Sequence, residues 1–128
     1  MFDIESKKQD EITIITKKSA ITFNIADAVI DAGLEIGKIT GPGEFEIGGV
    51  HVGIVGDIEE GLDDLGVSDI LCTSSVRAVR EVEPKLVVAM GNVDGMVAEL
   101  KLTARVDKKL KVKSVDALPA TREVVVLN

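Results

Sequence analysis

The sequence predicts a β-rich α/β domain, and three observations carry that reading. Alternating apolar and polar residues are bounded by glycine and proline, most clearly over Ile39 to Ile54, ITGPGEFEIGGVHVGI, which is the period of a half-buried strand. Two short apolar runs, DILCT at Asp69 to Thr73 and KLVVAM at Lys85 to Met90, read as buried strands and are each followed by a segment of helical period. Hydrophobic residues make up 45% of the chain but aromatic residues only 2%, so the core is packed from Val, Ile, Leu and Ala.

Phe2 to Thr16 reads as two short strands, with Phe2 and Ile4, then Ile12 and Ile14, in alternation around the charged turn Lys7-Lys8-Gln9-Asp10. Asn24 is expected to open a helix, with Asp27 as a weak capping box, Ile25, Ala28, Val29 and Ala32 on one face, and Gly33 as the stop. Leu34 to Ile39 reads as a strand, and Gly41-Pro42-Gly43 as a tight turn after it. Glu44-Phe45-Glu46-Ile47 then alternates, Gly48-Gly49 supplies positive φ, and Val50-His51-Val52 resumes the alternation, which is a β-hairpin. A two-residue loop at Gly48-Gly49 sets Ile47 against Val50 and Phe45 against Val52 on the buried side. Glu46 then faces His51 on the other.

Asp57 and Glu60 form a capping box for a short helix, Ile58 to Leu65, ended by Gly66. DILCT follows as a buried strand, with Cys72 an inert core thiol. Ser74-Ser75 caps a helix over Val76 to Glu83, with Val76, Val79 and Val82 as its apolar stripe, Arg77, Arg80, Glu81 and Glu83 toward solvent, and Pro84 as its end. KLVVAM is the next central strand. Val93 to Leu102 is a helix with Val93, Met96, Val97 and Leu100 at core spacing, and Leu110 to Val112 and Glu123 to Leu127 are strands joined through Ala117-Leu118-Pro119. No repeat, low-complexity tract or linker divides the 128 residues, so residues 1–128 read as one domain.

Charge and composition exclude several function classes. With 22 acidic against 15 basic residues the net charge is −7, the wrong sign for a nucleic-acid surface, and the shortage of aromatic platforms argues against single-strand binding as well. One cysteine, Cys72, permits no intrachain disulfide, which fits a reducing compartment. The charged start MFDIESKKQDE has no apolar signal region and no run is long enough to span a bilayer, so a cytoplasmic location without membrane contact is expected.

The hairpin GPGEFEIGGV resembles that of the metallo-β-lactamase superfamily, in the branch of metal-dependent hydrolases related to ascorbate-6-phosphate lactonases. EPKLVVAMG resembles the family's EPxxVIPMH, and the closing DKKLKVKSVDALPATREVVVLN resembles its C-terminus. The resemblance implies a shortened αββα sandwich, with mixed sheets and helices packed on the outer face. VHVGIVGD runs directly through a region where the family carries a further loop and strands, which looks like a deletion.

The family's metal ligands do not carry over. Laid on the HxHxDH loop, TKKSAITFN puts Lys17 and Ser19 at the first two histidines, Ile21 at the aspartate and Thr22 at the third histidine. The histidine closing EPxxVIPMH is replaced by Gly91. Asp57 matches a metal-bridging aspartate in the family, beside its plain reading as a helix cap. No metal or other cofactor is therefore expected, because a two-metal centre needs several His and Asp ligands and the chain has one histidine.

Three functional readings follow from the sequence. The favoured one is a non-catalytic binding or assembly module, a homodimer formed where the deletion exposes a sheet edge or apolar face. The second is a residual hydrolase with a site rebuilt from Asp57, His51, Asp94 and Glu44. The third is a small-anion or nucleotide binder using Lys17, Lys18, Ser19 and Thr22 in the eroded loop.

Overall fold

A computed structural model describes residues 2–6, 11–16, 20–24, 38–41, 44–47, 49–55, 68–90, 93–113, 118 and 122–127. Two sheets account for most of them. The first is antiparallel, in the order β10-β1-β2-β3, from β1 (Phe2–Glu5), β2 (Glu11–Ile15), β3 (Ala20–Asn24) and β10 (Lys109–Val112). Period-two alternation sets its register. Ile4 pairs with Ile14 on one side and Leu110 on the other, and all three are buried, while Asp3 stands opposite Lys111 on the reverse face.

The second sheet is mixed, in the order β4-β5-β6-β7-β8-β11-β9. Its strands are β4 (Lys38–Gly41), β5 (Glu44–Ile47), β6 (Val50–Val55), β7 (Ile70–Thr73), β8 (Leu86–Ala89), β9 (Ala104–Asp107) and β11 (Glu123–Leu127). β4, β5 and β6 pair antiparallel, and the pairs from β6 to β9 are parallel. Every residue of β7 and β8 is buried, as expected of parallel strands covered on both faces and written as unbroken apolar runs.

Two helices supply one of those covers. α1 (Val76–Val82) is capped by Ser75, whose Oγ accepts from the Ala78 N–H at 3.1 Å, and it ends at Glu83, whose N–H donates to the Val79 carbonyl at 2.9 Å. α2 (Val93–Leu100) follows β8 and buries Met96. Arg80 joins the helices by donating to the Glu99 carbonyl and carboxylate.

The core lies in two layers. Phe2, Ile4, Ile12, Ile14 and Leu110 of the first sheet pack against Val50, Val52, Ile70, Cys72 and Val88 of the second. On the opposite face of the second sheet, Leu71, Val87 and Val124 pack against Ala78, Val79 and Met96. Sheet, sheet and helices therefore stack in that order, and the class is the β-rich α/β expected, with helices on an outer face.

Several elements differ from expectation. Residues 20–24, expected as the end of a loop and a helix cap, form β3, in which Ile21 pairs with Ile14 and Thr22 with Thr13. Ile21, Thr22 and Phe23 alternate like their neighbour β2, and cross-strand pairing decides the matter. β9 was not anticipated, because ARVD has a single large apolar residue and lies at a sheet edge. α2 stops at Leu100 rather than Leu102, where Lys101 adopts φ 54°. Gly41, expected in a turn, pairs with Glu44 as part of β4, which lies antiparallel to β5. The helices expected over residues 25–33 and 58–65 lie outside the described residues.

Candidate functional site

The hairpin of β5 and β6 carries the chain's one histidine, and its register is the one that the two-glycine turn predicts. Ile47 pairs with Val50, Phe45 with Val52 and Glu46 with His51, and Gly49 takes φ 86° in the turn. Ile47, Val50 and Val52 are buried. On the reverse face His51 Nε2 lies 3.6 Å from Glu46 Oε2, with each side chain about one-third exposed. At this distance and exposure the pair is a surface contact between cross-strand neighbours.

Asp69 ties this hairpin to the parallel strands, a role that its sequence position alone did not reveal. It is 7% exposed. Its carboxylate accepts from the His51 backbone N–H at 2.9 Å, its own N–H donates to the His51 carbonyl at 2.8 Å, and its carbonyl accepts from the Lys85 and Leu86 N–H groups at 3.0 Å each. A single residue thus satisfies backbone groups where β6, β7 and β8 begin. Gly53 on β6 allows the close approach this requires, since a Cβ there would meet Ser68 Oγ at 2.7 Å. The one sequence signal was an acidic residue directly before a buried apolar run.

Of the remaining predicted positions, the structure describes Thr22. Asp57 follows the C-terminal end of β6 and Gly91 that of β8. Both lie outside the described residues, as do Lys17 and Ser19. Thr22 is in β3, in the first sheet, opposite Thr13. β6 carries four residue steps between His51 and Val55, or roughly 13 Å of extended chain, so these two residues stand at opposite ends of β6. Among the described residues, no group of three or more His, Cys, Asp or Glu side chains could hold a metal ion.

Cys72 is fully buried in β7, and that burial pushes its thiol up to about 12, which makes it an inert core residue, as expected. The arginines of α1 each contact a carboxylate: Arg77 Nε meets Glu81 Oε1 at 3.1 Å, and Arg80 Nη2 meets Glu99 Oε2 at 3.3 Å.

Neither a family model nor a curated protein matches the sequence. Among solved structures the chain is similar to the crystal structure of a candidate Zn-dependent hydrolase of the metallo-β-lactamase superfamily from Thermotoga maritima, with a TM-score of 0.65 and 14% sequence identity. The match covers 99% of this chain and 99% of that one, so the likeness runs over the full length of both. At this identity the likeness is one of architecture, and the architecture of this chain is a metallo-β-lactamase-like fold.

Proposed function

We propose that the protein is a non-catalytic metallo-β-lactamase-like protein that acts by binding, as a self-assembling module. The observation that carries this reading is the single histidine of the 128-residue chain, held in the Glu46 contact near the start of β6. A two-metal hydrolytic centre keeps its ions about 3.5–4 Å apart with several imidazole and carboxylate ligands, and one imidazole cannot supply that set. A second copy of the chain is the proposed partner, because the second sheet ends on an exposed strand, β9, that bears an exposed valine.

The Thermotoga maritima protein's description as a candidate Zn-dependent hydrolase favours a second reading, a metal hydrolase with a rebuilt ligand set. Elemental analysis of protein purified without chelator separates the two. Substoichiometric zinc, manganese and iron support the binding module, and one or more bound ions per chain would overturn it. Light scattering over a concentration series tests assembly: a dimer is expected, and a monomer at tens of micromolar counts against it. No helix among the described residues is long and apolar enough to cross a membrane, and the proposed location is cytoplasmic.

A further inference from the structure

We infer that β9 is a self-pairing edge, through which two copies of the chain join as a two-fold antiparallel β9–β9 contact centred on Val106. The inference rests on the self-assembly reading above and deepens it by assigning the surface and register.

Of the other three sheet edges, β3 pairs with β2 in regular register over five residues, and β4 and β10 are blunted. β4 carries a register irregularity between Ile39 and Gly41, which bends an edge away from further pairing. β10 exposes Lys109 and Lys111, like charges that resist self-pairing. β9 has neither device. Its register with β11 is regular over four residues, and Val106, at 61% exposure, is the exposed large hydrophobic residue among those described.

Hydrogen-bond parity fixes which residues can centre such a contact. The Val124 N–H donates to the Thr103 carbonyl at 3.2 Å. Thr103, Arg105 and Asp107 therefore turn their backbone groups toward β11, and Ala104 and Val106 turn theirs to the open side. In an antiparallel pair centred on Val106, the two Val106 residues exchange both N–H···O bonds using those open groups.

The same register is complementary in charge. It sets Arg105 opposite Asp107 of the second copy and Asp107 opposite Arg105 of the second copy, at the closer, non-hydrogen-bonded positions. Arg105 Nε already lies 3.1 Å from Asp107 Oδ2 of its own chain, so the dimer closes an alternating square of four charges. A contact centred on Arg105 also satisfies parity, but it places two guanidinium groups face to face. On the helix side of the sheet, Val106 meets its counterpart next to Val126, its neighbour on β11, which packs against the helix-side core.

A charge swap tests the register. In light-scattering dilution series, Arg105→Asp and Asp107→Arg are each expected to weaken dimerisation by about tenfold, roughly the effect of turning two attractive cross-strand pairs repulsive. The double variant, which restores opposite charges across the two-fold axis, is expected to return to within about threefold of wild type. Val106→Cys with a short bis-maleimide should give a covalent dimer, since Cys72 is buried and stays unmodified. That cross-link also decides the matter should a charge variant fold poorly by far-UV circular dichroism. A wild-type dimer that neither responds to the single charge changes nor cross-links through position 106 overturns the β9 contact while leaving self-assembly intact. A wild-type monomer at tens of micromolar overturns both.

Discussion

At the scale of single residues, Asp69 and Cys72 show how burial fixes chemistry. The Asp69 carboxylate is withdrawn from water and accepts from the His51 N–H, so removing it strips a backbone donor of its acceptor. Asp69→Ala is expected to cost about 1–3 kcal/mol in denaturant unfolding. Asp69→Asn, which keeps an acceptor oxygen, should recover a large part of that loss. Cys72 gives a pH signature. Its thiol rises from 9.0 to about 12 by burial, so the folded chain keeps a proton that the unfolded chain releases above pH 9. Both states hold the proton below pH 9, and stability falls progressively between pH 9 and about 12, by roughly 1.4 kcal/mol per pH unit. Comparing alkaline unfolding of wild type with Cys72→Ala isolates this slope; equal slopes would show that the thiol does not carry it.

Elements end where backbone conformation dictates, and α2 is the clearest case. Its chain leaves the helix through Lys101 at φ 54°, a left-handed position that costs a residue with a Cβ about 1–2 kcal/mol. Glycine removes that penalty but adds freedom to the unfolded chain worth about 0.4–1 kcal/mol. Lys101→Gly is therefore expected to stabilise by about 0.5–1 kcal/mol, read as a small rise in Tm, and a fall in Tm would contradict the steric argument. Glu83 ends α1 at the same φ of 54°, directly before Pro84, whose ring excludes continuation of the helix.

Considered whole, the molecule is held by a core that both sheets share, with the helices bound to the second sheet's other face. β9 and β10 link the sheets with Lys108 as the one residue between them, and Leu118 packs on the inter-sheet core. Neither sheet can lose its inner face without exposing that of the other. Unfolding in guanidinium is therefore expected to be a single transition, with far-UV circular dichroism and Cys72 thiol exposure changing together. Separate midpoints would show that the sheets unfold independently.

Local chemistry was legible in the chain wherever one segment decided its own conformation. The Gly48-Gly49 turn and the flanking alternation determined the register that sets Glu46 against His51, the DILCT and KLVVAM runs determined buried strands, and Ser75 determined a helix start. Pairing with distant partners decided the rest. β3, whose Ile21 and Phe23 already alternate, forms because β2 offers a matching edge, and β9, with too little apolar pattern to announce itself, because β11 does. Asp69 was invisible as a junction because its partners are His51 and Leu86, far from it in sequence and adjacent only when three strands lie side by side. The sequence by itself determined that the chain has a single imidazole. Only the tertiary structure decided that the backbone of this histidine is held by Asp69, because β6 and β7 become neighbours only when the sheet assembles.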